Sequence, residues 1–234
     1  MGEPNKLPGP GSHLLELTFE AFRVAHRAAA AAAEGVASSS KELLGEVRDR
    51  ERELDSLDRD IDDLVTTTIT RVDDDEARTL LASMKIGMSL ERIGDLLLSF
   101  ANRADSIASQ MDHDDIRDFT VMSSKLERML ADVETAFRTR SLDKAVDALR
   151  ADTEIDRLRN VITFRHLEPA DGPRRFDSFH VLFMAQELER AGDHVKNISE
   201  EICHLVSGRT VRHVLRAYDR PVEQLFLDHM KSKQ

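Results

Sequence analysis

Tryptophan is absent from this chain, and there is one tyrosine, one cysteine, ten glycines and six prolines in 234 residues. So few ring-bearing and turn-forming residues, set among abundant Ala, Leu, Arg, Asp and Glu, favour helices over sheets. A lone thiol, Cys203, excludes an intrachain disulfide, and a reducing cytoplasm is the expected setting. No segment approaches the ~18 uninterrupted apolar residues of a membrane span, so any membrane role is expected to be indirect, through a partner. Met1 to Gly11 has no apolar signal core and reads as a disordered tail. There is no long basic run, and the net charge is −11, which argues against nucleic acid as a partner. Glycine-rich phosphate loops, nucleophile elbows and zinc-ligand spacings are also missing.

What remains is helical periodicity. A first helix is expected from about His13 to Glu34, ended by Gly35 and the serines at 38–40. A second spans about Lys41 to Arg71 on the seam Leu54, Leu57, Ile61, Leu64. After Asp73–Asp75, where Asp74 or Asp75 is expected to cap, a third reaches about Gln110 with Leu90, Ile93, Leu97, Phe100, Ala104 and Ile107 inward. The pattern then restarts. Helices are expected over 114–140, 142–167 and 174–207, with a breaker at Glu168–Pro173 and Gly208 as the final stop. Residues 209–234 read as a tail or short helix.

The restart is legible in letters. Glu53-Leu-Asp-Ser-Leu57 matches Glu154-Ile-Asp-Arg-Leu158 at a shift of 101 (154 against 53). Leu90-Glu-Arg-Ile-Gly-Asp95 matches Leu188-Glu-Arg-Ala-Gly-Asp193 at a shift of 98 (188 against 90). The expected fold is therefore all-α, two tandem three-helix bundles over 12–111 and 112–208. Long amphipathic bundles often leave an apolar edge, so a homo-oligomer, a dimer first, is expected.

The repeated letters include carboxylates. Glu51 with Asp55, Glu91 with Asp95, Asp152 with Asp156 and Glu189 with Asp193 are each four apart, so each pair shares a helix face one turn apart. Every carboxylate directly follows a seam residue or keeps its phase, about 100° around the helix from the seam. Antiparallel pairing brings four of them to one height in each hairpin. Such flanks suit hard or borderline cations. They equally suit ordinary solvated carboxylates paired with Arg92 and Arg190. His194 could extend a site. Glu201-x-x-His204 has the spacing of di-iron bundles, but those need two such motifs and the chain has one.

The stretch Leu188-Glu-Arg-Ala-Gly-Asp-His-Val-Lys-Asn-Ile-Ser-Glu200, then His204-Leu-Val-Ser-Gly208, resembles the signature of the PhoU family. Leu90-Glu-Arg-Ile-Gly-Asp95 resembles its other copy, departing at Leu96, Ser99 and Asn102, where His, Asn and Glu are common. The resemblance covers about residues 13–208. It implies a non-enzymatic, cytoplasmic repressor of the phosphate-starvation response that acts with a phosphate ABC transporter, through its ATPase subunit, and a sensor histidine kinase. It also implies metal ions, iron first, with zinc, manganese or magnesium as alternatives, held by Glu51, Asp55, Glu91, Asp95, Asp152, Asp156, Glu189 and Asp193. On those letters the second half, which follows the family pattern in full, is expected to hold metal more firmly. A di-metal carboxylate oxidase and a metal-free helical adaptor are the competing readings.

Overall fold

A computed structural model describes residues 10–151, 153–167 and 175–208. Among them are seven α-helices and no strand: α1 (Pro10–Ser38), α2 (Lys41–Thr68), α3 (Asp74–Ile107), α4 (His113–Thr139), α5 (Leu142–Ala151), α6 (Thr153–Leu167) and α7 (Arg175–Ser207), with a 3₁₀ turn at Ile69–Arg71 after α2. The expected fifth helix is thus described as α5 and α6, on either side of residue 152.

The boundaries correct several expectations. Pro10 and Gly11 belong to α1, not to a tail, Pro10 standing at a first helical position where its missing N–H costs nothing. Gly35 does not end α1. It lies inside the last turns, where an added Cβ would come within 2.9 Å of the Leu44 side chain, so it serves the close approach of α1 to the start of α2. The stop comes at Ser39, in the left-handed region at φ 53°. Ser40 N–H donates to Gly35 O (2.9 Å) and Ser39 N–H to Val36 O (3.3 Å). That pattern satisfies the last carbonyls of the helix. Ser40 then caps α2 by accepting from Leu43 N–H. At the end of α4 the arrangement recurs 101 residues on: Arg140 is left-handed at φ 51°, Ser141 N–H donates to Ala136 O (3.0 Å), and Arg140 N–H to Phe137 O (3.4 Å). The internal repeat therefore extends to backbone detail. The cap of α3 is Asp73, whose carboxylate accepts from Glu76 N–H at 2.9 Å, one residue before the expected position. Gly208, at φ 69°, stops α7 as expected, its N–H donating to His204 O.

Helices α1, α2 and α3 pack on one another, as do α4, α6 and α7 with α5. The two sets are not separate bodies. Helix α1 also packs on α4, and α3 on α7, so one continuous apolar core runs through both. The aromatic contacts cross the same seam: Phe19 and Phe22 meet Phe137, and Phe100 meets Phe119 edge-on with centroids 5.6 Å apart. Cys203 is buried in this core, which pushes its thiol up to about 12. Among the described residues no helix is long and apolar enough to cross a membrane.

Candidate metal centre

The α2–α3 hairpin is antiparallel, and its register can be read from two glycines. A Cβ on Gly94 would lie 2.7 Å from Leu54 Cδ1, and one on Gly87 would lie 3.2 Å from Ile61 Cδ1 and 3.3 Å from Asp58 Oδ1. Both glycines stand on the face of α3 turned to α2, seven residues apart. They let the two backbones approach closely beneath the carboxylates. The signature glycine is thus a packing residue, and its neighbours Glu91 and Asp95 are carried to the flank of the hairpin at the height of Asp55 and Glu51.

The electrostatics show that these four carboxylates act on one another. Glu91 is raised above the ordinary carboxylate value, first by burial and then by Asp95, with Asp58 and Asp55 adding to it and Arg92 opposing. Glu51 is raised by burial, Asp55 and Asp95. In the second half Asp156 is raised by burial and Asp193, while Glu189 is raised by burial, Asp193 and Asp156, with Arg159 opposing both. Charge thus acts among Glu51, Asp55, Glu91 and Asp95, and among Asp156, Glu189 and Asp193. Asp152 lies outside the described residues. Arg92 sits against Glu91 (3.4 Å) and Asp95 (3.3 Å), Arg159 against Glu189 (3.6 Å), and Lys196 against Asp193 (3.1 Å).

Among the described residues no three His, Cys, Asp or Glu side chains already converge closely enough to hold a metal ion. The donor chemistry is that of hard cations. The donor set is all oxygen, it is set against a glycine-lined approach of two helices, and its side chains move through staggered rotamers on fixed backbones.

Asp58 is a member of the first flank that sequence reasoning passed over. Burial raises it most, followed by Asp62 and Asp55, with Arg92 and Arg59 opposing. A raised carboxyl costs stability when ionised, so the cost is full above its folded value and fades as pH falls through it. Asp58→Asn is therefore expected to stabilise the fold at about pH 7, by roughly 0.2–0.5 kcal/mol for each like-charged neighbour relieved, and so to raise Tm. The gain should shrink toward zero as the pH drops below 3.8, the ordinary Asp value. Thermal melts of both proteins across that range check it; a loss at pH 7 would mean Asp58 is stabilising as an anion.

Other acidic groups are committed elsewhere. Glu201 is buried and pairs with Lys85 at 2.9 Å, and His204 stands 4.0 Å from it, so the Glu-x-x-His spacing serves an α3–α7 ion pair. Glu187, also buried, accepts from Arg103 at 2.9 Å. His194 is half-buried; burial, then Arg190 and Arg92, hold its imidazole below the ordinary value. A further polar cluster among the described residues went unseen in the sequence. Asp115 and Asp118 on α4 are buried and meet Arg165, Asp115 at 2.6 Å, while His166 bridges Asp115 (2.9 Å) and Ser178 (3.1 Å). Two carboxylates in the first turns of one helix and two basic residues at the end of another are each favourably placed for the helix dipoles. That was the available signal.

The PhoU domain is found twice, over residues 19–104 and 119–202. A phosphate-specific transport system accessory protein PhoU homolog from Zymomonas mobilis is 28% identical over 191 residues, covering 80% of each chain. A homolog of the same name from Caulobacter vibrioides is 35% identical over 143 residues, 57% of this chain and 59% of its own. The crystal structure of PhoU from Pseudomonas aeruginosa superposes with a TM-score of 0.77 at 21% identity, covering 84% of this chain and 97% of that one. The phosphate transport system regulatory protein PhoU from Streptococcus pneumoniae gives 0.78 at 20%, covering 86% and 96%. With the domain present in both halves, and the packing of those halves shared with solved structures of the same name, the chain belongs to the PhoU family.

Proposed function

We propose that this protein is a cytoplasmic accessory regulator of phosphate uptake, which restrains the phosphate-starvation response through a phosphate ABC transporter and a sensor histidine kinase. The observation that carries the reading is the pair of PhoU domains spanning most of the chain, whose relatives are named as accessory proteins of the phosphate-specific transport system. A regulator rather than an enzyme also suits the chemistry: the described polar clusters are ion pairs and carboxylate flanks. We further propose that the flanks take metal ions, iron first, held by Glu51, Asp55, Glu91 and Asp95 on one hairpin and by Asp152, Asp156, Glu189 and Asp193 on the other. A bound cation would neutralise the repulsion among these groups and stabilise the folded state by mass action. A homodimer is the expected assembly.

The test is genetic and biochemical. Deleting the gene should raise a phosphate-starvation reporter several-fold in phosphate-rich medium, and tagged protein should retain the transporter's ATPase subunit from a membrane extract. An unchanged reporter, or equal membrane recovery in a strain without the transporter, would overturn the reading.

A further inference from the structure

The carboxylate flanks leave one part of the repeated motif unexplained, its arginine: Arg92 in the first copy and Arg190 in the second. In the second half Glu189 and Asp193 are met by Arg159 and Lys196 instead. Arg190 is exposed on α7. After burial, it is Arg190 together with Arg92 from α3 that lowers the His194 imidazole. The arginines of the two copies therefore come together on the outer face of the α3–α7 pair, away from the carboxylates of the second hairpin.

That face can be followed along both helices. They run antiparallel, with Lys85 against Glu201 (2.9 Å) toward one end and Arg103 against Glu187 (2.9 Å) toward the other. An exposed apolar pair lies at each end. Leu81 and Met88 stand on α3, Leu81 in a cleft that it shares with Lys85, His204 and Leu205. Phe179 and Phe183 stand on α7, their rings 4.6 Å apart, and the Arg103 guanidinium lies 4.7 Å from the centre of the Phe183 ring. Phe183 is thus level with Arg103, 15 residues from Met88 along α3 (103 − 88), or about 22 Å at the helical rise. The arginine pair occupies the space between.

The charge here runs against that of the whole chain, which is −11. Lys85, Arg92, Arg103 and Arg190 share the face with two carboxylates, Glu187 and Glu201, both buried and both already paired. Arg92 also touches Glu91 and Asp95, yet its side chain is 62% exposed and free to turn to a new partner. The repeat supplies a control for the apolar ends. At the shift of 98, Lys85 corresponds to Phe183 (183 − 85), so an ion pair in one copy stands where a cation–π contact stands in the other. The fold itself does not require an exposed phenyl ring at that position, because the first copy folds with a lysine. We propose that this face docks an acidic amphipathic helix of a partner protein, with carboxylates on Arg92 and Arg190 and large apolar residues on the Leu81–Met88 and Phe179–Phe183 ends. The inference rests on the partner reading above and adds the surface by which the partner is held.

A helix laid along two others is a recurring recognition mode, and about 22 Å between the apolar anchors corresponds to about four turns of such a helix. A second copy of this chain is a poorer occupant, since the face would meet its own positive charge. So is a lipid surface, because the arginine centre parts the apolar residues into two pairs instead of one continuous face.

The test is interferometry of the full purified chain against the purified ATPase subunit of the phosphate transporter, at low and high salt. Wild type is compared with Arg92→Glu, Arg190→Glu, Met88→Ala and Phe183→Ala, and with Arg128→Glu, an exposed site on α4, as control. Helicity of each is verified by circular dichroism. Each arginine reversal should weaken binding about tenfold and flatten its salt dependence. Each apolar truncation should weaken it about tenfold with the salt dependence kept, and Arg128→Glu should bind as wild type does. A photo-crosslinker at the exposed Gln186 of α7, Gln186→p-benzoylphenylalanine, should capture an acidic amphipathic helix of the subunit. If wild type binds and the arginine or apolar variants bind equally well, or the crosslink falls on a basic or extended segment, the docking site is overturned while the partner reading stands. The same holds if the variants lose only binding to phosphatidylglycerol vesicles, or only self-association by light scattering, since the occupant is then lipid or a second copy. If wild type does not bind the subunit at all, the partner reading fails and the inference falls with it.

Discussion

Phe100→Ala should destabilise this protein by about 3–5 kcal/mol and leave a single unfolding transition. Phe100 is fully buried on α3, in the first repeat, and its ring meets the edge of Phe119, fully buried on α4 in the second. Truncation removes apolar surface from a close-packed interior and opens a cavity that the helix backbones are too stiff to close. It also removes an aromatic pair worth about 0.5–1.5 kcal/mol beyond its area, which a double-mutant cycle with Phe119→Ala would isolate. Because domains of this size are stable by only about 5–15 kcal/mol, the effect consumes a large share of the total. The single transition follows from the shared core: Phe19, Phe22 and Phe100 of the first repeat are covered by Phe119 and Phe137 of the second. Urea melts by circular dichroism give the result directly. A loss under about 1 kcal/mol, or a first step that removes about half of the helicity, would show that the halves stand alone.

The second large effect is expected at Asp115. Its carboxylate is buried, pairs with Arg165 at 2.6 Å and accepts from His166 at 2.9 Å, so it ties the start of α4 to the end of α6. Asp115→Ala leaves the Arg165 guanidinium with Asp118 alone, in a site where its side chain is 24% exposed. Breaking one partner of a buried pair costs about 3–5 kcal/mol; with Asp118 remaining and a quarter of the arginine in water, roughly 3 kcal/mol is expected. A combined Asp115→Leu, Arg165→Met change should recover most of that loss, since it leaves no charge uncompensated. If the double change is no better than Asp115→Ala, the pair contributes shape rather than charge. Thermal melts of the three proteins distinguish the cases.

How much of this was legible beforehand depends on the range over which each feature acts. Helix periodicity and the repeat act locally, and they placed the seam residues Leu54, Leu57, Ile61, Leu90, Ile93 and Leu97, all buried. The carboxylate grouping followed from antiparallel pairing of neighbouring helices, which needs only a turn position and a phase. The fusion of the halves did not follow, because α1 meets α4 and α3 meets α7 through faces that a single amphipathic stripe does not distinguish. Helix α3 has buried residues on more than one face, Leu80, Ser83, Ile86, Leu90 and Leu97 alongside Ala82, Leu96 and Ala101, and that width was the overlooked sign of a second neighbour. Gly35 was read as a breaker because glycine usually is one. Here it makes room for Leu44 instead, and Ser39 takes the left-handed position without glycine's conformational advantage. The Asp115–Arg165 cluster joins residues fifty apart in sequence, beyond any periodicity.

The shared core also sets an order of events during synthesis. When α1, α2 and α3 have left the ribosome, Phe19, Phe22 and Phe100 still lack the rings that will cover them, and the face of α3 that meets α7 is bare. Burial waits for α4 and then for α7, the last described helix. At about 5–20 residues per second, the hundred or so residues between α3 and the end of α7 take roughly 5–20 s to emerge. For that interval the nascent first half carries bare apolar surface, the condition under which unfinished chains aggregate or meet chaperones. A ribosome that stalls before α7 would release a fragment with every local signal for helix and no means of closing its interior.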